Sequence, residues 1–230
     1  LYGVDVIDIG GESTRPNSDP VPIAIQIQRV VPVIQAIRAF SDVRISIDTM
    51  SSEVAKAALD AGANWINDVS GGMMDAKILK LAAKSKAPIV LMHMKGTPKT
   101  MQDNPHYDDV VQDVIAALQE RVNAALNAGV KPEQILLDVG IGFGKRKQDN
   151  LDLLANLSTF VELGFPVLLG TSRKRFMGSI CHVENPSELV TATAVTTALG
   201  VMSGVSVFRV HDVKENRQAL EVAWAIKQRG

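Results

Sequence analysis

Polar side chains able to bind or react recur at one kind of place in this sequence, the end of a short apolar run. Asp8, Asp48, Asn67 with Asp68, His93, Asp138, Thr171 with Ser172, and Arg209 with His211 each close such a run. A carboxylate or amide at the end of a buried run needs hydrogen-bond donors. A flat heterocycle with an amidine-like edge supplies two of them. Asp48, Asn67 and Asp138, on three separate runs, together point to a pocket for a hydrogen-bond-rich ring rather than a lipid. Taken singly, each is better explained as bonding a neighbouring backbone N–H and stabilising its own loop.

Glycine turns and cations accompany these groups. Asp8-Ile9-Gly10-Gly11-Glu12-Ser13-Thr14-Arg15-Pro16 couples a tight turn to hydroxyls and a guanidinium. Backbone N–H groups, Thr14 and Arg15 there suit a phosphate group; an ordinary turn with a solvated arginine fits the same residues. Gly170-Thr171-Ser172-Arg173-Lys174-Arg175-Phe176 raises cations directly after a run. Lys174 is the candidate for a ring oxygen or nitrogen, with Arg173 and Arg175 expected in solvent. In Arg209-Val210-His211, strand alternation puts Arg209 and His211 on one face, a pair suited to a leaving pyrophosphate.

Two tempting motifs fail. In Gly140-Ile141-Gly142-Phe143-Gly144-Lys145 the third glycine of a dinucleotide fingerprint is replaced by Lys145. A P-loop needs a hydroxyl residue where Arg146 stands, and Val139 fills its first glycine position. His93 has no second His or Cys at ligand spacing, which argues against zinc.

The elements that must hold these groups alternate strictly. Strands are expected at Val4 to Ile9, Arg44 to Ile47, Trp65 to Val69, Ile89 to His93, Ile135 to Asp138, Val167 to Gly170 and Val207 to Val210. Helical periodicity covers Ile23 to Phe40, Ser52 to Ala61, Asp75 to Ser85, Tyr107 to Ala128, Asn150 to Leu163, Ser187 to Ser203 and Val213 to Gln228. Gly62, Gly129, Gly164 and Gly204 each follow a helical stretch, as helix-ending residues do. Apolar strands alternating with helices make a parallel sheet covered on both faces. Polar groups at nearly every C-terminal strand end favour a closed barrel, whose strand ends meet at one mouth, over an open doubly wound sheet. The expectation is a TIM-type (β/α)8 barrel with seven of its eight strands present. Leu1-Tyr2-Gly3 reads as the tail of an upstream helix, so the strand not seen would be the first.

Composition narrows the function classes. The chain has 230 residues, 46% hydrophobic and 21% charged, enough for a single domain with one core, and no linker divides it. A net charge of -1 offers no field for nucleic acid or a membrane surface, and no apolar stretch approaches the length of a span. One cysteine, Cys181, forms no internal disulfide and fits a reducing, cytoplasmic setting.

Taken in order, these motifs, with Ile47-Asp48-Thr49, Ile66-Asn67-Asp68-Val69-Ser70-Gly71-Gly72 and Met92-His93-Met94-Lys95-Gly96-Thr97-Pro98, resemble the dihydropteroate synthase family over essentially the whole chain. The resemblance implies a transferase of folate biosynthesis. Para-aminobenzoate attacks the methylene carbon of 6-hydroxymethyl-7,8-dihydropterin diphosphate, releasing pyrophosphate, with Mg2+ accompanying the diphosphate. Asp48, Asn67 and Asp138 then hold the pterin's pyrimidine edge and Lys174 reaches its ring, with Met92, Phe143 and Gly170 lining the pocket. Arg209 and His211 take the diphosphate, while Thr14, Arg15 and Ser172 lie on the aminobenzoate side. Lys174, Arg209 and Asp138 are the expected catalytic groups. The family also implies a cytoplasmic homodimer and a sulfonamide target.

Two departures stand out. The family's first strand, with an asparagine tied to metal and diphosphate, has no counterpart here, so no metal ligand is expected in this chain, and the chain alone is expected to be unstable or inactive. Val139 replaces the usual proline after Asp138. The rival readings are a methyltetrahydrofolate-dependent methyltransferase domain, which has no diphosphate to release, and a non-catalytic pterin-binding relic.

Overall fold

The structure is a computed structural model that describes residues 3–15, 18–97, 99–101 and 103–230. Leu1 and Tyr2, expected to end a helix, lie outside the described residues, as do Pro16 and Pro98 of the motifs.

Every expected strand forms: β1 (Val6–Gly10), β2 (Arg44–Asp48), β3 (Trp65–Asp68), β4 (Ile89–Met92), β5 (Ile135–Asp138), β6 (Val167–Leu169) and β7 (Val207–Phe208). Among the described residues they make one sheet in sequential order, every neighbouring pair parallel. An open doubly wound sheet reverses its order at a switch point; none occurs here. The two ends of the sheet also approach each other, because Arg209, just after β7, bonds Asp8 of β1 at 2.6 Å. The sheet therefore curls into a seven-stranded part of a parallel barrel.

The helices are α1 (Ile23–Arg38), α2 (Ser52–Asp60), α3 (Lys77–Ser85), α4 (Val110–Asn127), α5 (Lys147–Ala155), α6 (Leu157–Val161), α7 (Arg175–Cys181), α8 (Val190–Ser203) and α9 (Val213–Lys227). Gly62, Gly129, Gly164 and Gly204 all have positive φ, as helix-ending glycines should. Several helix boundaries differ from the sequence expectation, and three of the differences have a local cause or consequence. The helix expected over Asn150 to Leu163 is two, because Asn156 leaves helical geometry and its amide donates to the Asp152 carbonyl instead (2.8 Å). Helix α4 starts at Val110 rather than Tyr107, since the Asp109 carboxylate caps the N–H groups of Val111 and Gln112. Helix α7 covers residues read only as a charged motif and its tail.

Strand alternation sorts the side chains into two layers. Ile45, Ile47, Ile66, Ile89, Leu91, Ile135, Leu137, Val167 and Leu169 pack outward against the helices. Each such side chain, fully buried, contributes about 1.5–3 kcal/mol. The alternate residues Val90, Leu136 and Leu168, with Trp65 and Val207 against them, fill the inside of the curl. Two residues further along, the same inward parity falls on Asn67, Met92, Asp138, Gly170 and Arg209. Register aligns them across strands, with Asp48 beside Asn67 and Met92 beside Asp138. A period of two, started from an apolar layer, thus delivers a ring of polar groups to one mouth.

Candidate active site

Arg209 is the hub of this mouth. Its Nε donates to Asp8 Oδ2 (2.6 Å) and a terminal nitrogen donates to Asp48 Oδ2 (3.0 Å). Asn67 donates its amide N–H to the same Asp8 oxygen at 3.3 Å. The opposite oxygens, Asp8 Oδ1 and Asp48 Oδ1, are buried with no hydrogen-bond partner among the described residues. Orphaned buried acceptors are costly, and two at one mouth call for a donor-bearing ligand. Burial, with Asp8 nearby, pushes the Asp48 carboxyl up to about 7 despite the Arg209 charge. Burial works against the Arg209 charge, but Asp8 and Asp48 outweigh it and hold the guanidinium firmly protonated.

Across the mouth, Asp138 accepts the Gly140 N–H at 2.7 Å. Burial raises its carboxyl above the usual range, and Lys174 opposes that rise. Lys174 donates to the Ile141 carbonyl and sits 4.7 Å over the Phe143 ring. Burial lowers this lysine to about 8, with Asp138 opposing the fall. Met92 packs in a buried cluster with Val69, Met94 and Met101, and Phe143 lies against it. An added Cβ on Gly170 would lie 3.9 Å from Arg209 Cβ, so the glycine leaves the wall open beside the arginine. The mouth therefore carries unsatisfied acceptors on one side, a cation over an aromatic ring on the other, and an apolar floor.

The loops after β1, β6 and β7 form the rim. His211 donates its backbone N–H to Ser172 Oγ (3.1 Å), and its ring Nδ1 lies 2.9 Å from the same hydroxyl. Burial and the charges of Arg173 and Arg209 hold His211 below the usual imidazole value, with Arg15 adding to the effect. Arg15 is exposed and Thr14 partly buried in the loop after β1, where Ser13 Oγ accepts the Arg15 N–H (3.3 Å).

One expectation about side-chain direction is corrected. Arg209 and His211 do not share a strand face, since β7 ends at Phe208; Arg209 turns to the carboxylates and His211 to Ser172. Arg173 keeps 32% of its side chain exposed, as expected, but it is held in place. It has a positive φ of 58° and clasps both oxygens of Asp212, at 3.0 and 2.6 Å, tying the β6 and β7 loops together. Arg175 is exposed as expected.

Sequence reasoning noted Asp8 at a strand end but left it out of the site; its place two residues after Val6 carried the signal. Asp68, its neighbour Asn67 facing the mouth, turns the other way and accepts the N–H groups of Ser70 and Gly72 and the Ser70 hydroxyl. It realises the alternative reading, a carboxylate serving its own loop.

The Gly140–Lys145 turn closes over the end of β4. Gly140, Gly142 and Gly144 all have positive φ, and an added Cβ on Gly140 would fall 1.9 Å from the His93 carbonyl oxygen. Gly140→Ala is therefore expected to lose about 3 kcal/mol or more, from the left-handed strain and a backbone overlap that cannot yield. A thermal melt should show the midpoint falling by about 10 °C; an unchanged midpoint contradicts the geometry.

Comparison with known proteins agrees with this architecture. Residues 2–211 match the family described as "Pterin binding enzyme". A dihydropteroate synthase of Synechocystis sp. is 44% identical over 224 residues, 97% of this chain and 78% of that protein. The crystal structure of Yersinia pestis dihydropteroate synthase with a sulfonamide drug complex superposes with a TM-score of 0.95 at 38% identity, covering 99% of this chain and 82% of that one. Xanthomonas albilineans dihydropteroate synthase with 4-aminobenzoic acid gives a TM-score of 0.93 at 43% identity, with 98% and 80% covered.

Proposed function

This chain belongs to the dihydropteroate synthase family, and from that premise we infer how its own residues join a dihydropterin to para-aminobenzoate. The enzyme is a transferase of folate synthesis, and the carrying observation is the mouth itself. Asp48, Asn67, Asp138 and Arg209 at four strand ends, with Lys174 in the loop after β6, face one another through hydrogen bonds and charge. The orphaned acceptors on Asp8 and Asp48, with Asp138, suit the donor edge of a pterin. Lys174, above Phe143, suits the ring's acceptor edge while Met92 and Phe143 cover its faces.

Arg209 keeps N–H groups beyond the two that hold Asp8 and Asp48. With Arg15 at the rim, these form an electropositive side where a diphosphate leaves, and the uncharged His211 and Ser172 add hydrogen-bonding groups beside it. Neutralising that leaving anion, while the apolar floor keeps water off the methylene carbon, is the catalysis these residues supply. Aminobenzoate then enters between the Thr14–Arg15 loop and Ser172, where sulfonamides compete with it. The methyltransferase alternative leaves this cationic rim without a substrate group to meet.

Magnesium, where it takes part, travels with the diphosphate. Among the described residues no three or more His, Cys, Asp or Glu side chains are placed to hold a metal ion. Asp8 and Asp48 are already bridged by Arg209. These residues do not fit a dedicated metal centre, and the roles above are assigned without one.

Formation of dihydropteroate from the two substrates, followed by coupled assay, tests the assignment; pterin binding without product would favour a relic. The pH profile adds a sharper check. Asp48 must be ionised to accept from the pterin, so kcat/KM for the pterin substrate should fall as pH drops through about 7. Lys174 must be protonated to donate, so it should fall again as pH rises through about 8. A flat profile between 6 and 9 would remove both roles.

Two copies of the chain pair through α8 and α9. Leu199 and Met202 on α8 and Val222 and Ile226 on α9 line one apolar groove, with Leu199 58% and Val222 62% exposed. A contiguous apolar groove of this kind marks an interface. Light scattering should give a dimer that Leu199→Arg with Val222→Glu converts to monomer; a monomeric parent at micromolar concentration ends the idea.

A further inference from the structure

Behind the mouth, a lysine that touches neither substrate in this reading is almost wholly enclosed. Lys145 is 3% exposed. Its ammonium donates to the Gly140 carbonyl (2.8 Å) and the Phe143 carbonyl (3.1 Å), and it lies 2.9 Å from His93 Nδ1. Burial pulls Lys145 down to about 7, with Asp138 opposing the fall. Its ammonium form has three donors and no acceptor, so Nδ1 of His93 then accepts from it. The His93 carbonyl lies 3.5 Å away as well, so four acceptors surround the three N–H groups.

The loop between these contacts also meets the site. Left-handed Gly140, Gly142 and Gly144 turn successive carbonyls to opposite sides. Those of residues 140 and 143 face Lys145, and that of Ile141 faces Lys174. The same turn presents the Gly140 N–H to Asp138 and the Phe143 ring to Lys174. Tyr107 donates its hydroxyl to the Gly144 carbonyl at 2.6 Å and closes the far end. One peptide segment is thus held from behind by one ammonium and holds another ammonium in front.

We propose that Lys145, braced by His93, is a positioning residue for pterin binding: it fixes the 140–144 turn so that the Ile141 carbonyl, the Phe143 ring and the Gly140 N–H set Lys174 and Asp138 in register with the ring. The inference rests on the synthase reading and deepens it. A loop-stabilising duty alone would not require the clamp to join the two groups on which pterin contact depends. Electrostatics supports the link, because Lys145 also favours the ionised form of buried Asp138, after Lys174 and the Gly140 N–H. Burial and the charges of Lys145 and Lys95 keep His93 neutral, down to about 2, which preserves its lone pair for Lys145.

Lys145→Met keeps length and removes every donor; Lys145→Gln keeps two. Titration calorimetry with 6-hydroxymethyl-7,8-dihydropterin diphosphate and steady-state kinetics with both substrates are measured on parent and variants, beside thermal melts. The expected result is a 10- to 100-fold weaker Kd and raised KM for the pterin diphosphate in Lys145→Met. The KM for aminobenzoate should stay within about twofold, and Lys145→Gln should recover part of the lost affinity. A folded Lys145→Met that binds the pterin diphosphate as tightly as the parent overturns the inference, whatever its melting point. If Lys145→Met fails to fold, His93→Phe decides, since it keeps the packing against Tyr107 and removes one acceptor. A three- to tenfold loss of pterin affinity there supports the clamp, and parental affinity overturns it. A parent that binds no pterin diphosphate brings down the synthase reading and this inference with it.

Discussion

Lys174→Ala should lower kcat/KM for the pterin substrate by about 10²–10³-fold with little change in stability. The lysine is inserted between the Ile141 carbonyl and the Phe143 ring, opposite the Asp138 carboxylate. Its ammonium is poised by burial at about 8, so near neutral pH it is charged yet able to adjust to a ring that gains positive character. A donor aimed at a place where charge changes during reaction is worth about 3–4 kcal/mol in a water-poor site. Little fold stability should go with it, because the ammonium's charge is already disfavoured by burial. Arg175→Ala is the internal control. That side chain is exposed one position away, and its loss should leave the rate within about twofold. Steady-state kinetics on the three proteins decide the matter; equal losses in both variants would show a general charge effect instead of a placed donor.

Arg209→Ala should fall further, by about 10³-fold or more in kcat/KM, and should also destabilise the protein. The side chain satisfies Asp8 and Asp48 at once and faces the diphosphate side. Breaking a buried ion pair from one side leaves an uncompensated charge, at about 3–5 kcal/mol when fully buried. Arg209 is 48% exposed at its side chain, so solvent screening reduces this to about 2 kcal/mol, a fall of about 5 °C in melting midpoint. With the guanidinium gone, the Asp48 carboxyl should climb above its value of about 7 and bind a proton near neutrality. Arg209→Ala combined with Asp48→Asn should therefore regain part of the lost stability, Asp8 still lacking its partner, and none of the activity. A double-mutant cycle read by melting and by kinetics separates the two effects. If stability and activity return together, Arg209 serves the fold alone.

Much of this molecule is legible without coordinates. Apolar runs of four to six residues alternating with helical stretches imply a parallel sheet covered by helices. Polar groups at nearly every run's end imply a barrel mouth. Alternation has a period of two within any strand, so a buried apolar residue such as Leu136 already commits Asp138 to the same interior face. The same local rule commits Asn67 after Trp65 and Arg209 after Val207. These are short-range properties of the chain, readable from residue order.

What those groups meet depends on the closed fold. Arg209 bridges Asp8 across 201 positions, a contact set by how far the sheet curls and not by any local pattern. Beyond a strand's last ladder bond alternation lapses, which is why His211 turns to Ser172 and Arg173 closes on Asp212. The direction of Lys145 was equally hidden, because left-handed glycines aim the carbonyls it binds and His93, 52 residues away, completes its shell. Side-chain periodicity is written in the backbone of each element, whereas pairing between loops depends on closure of the whole barrel.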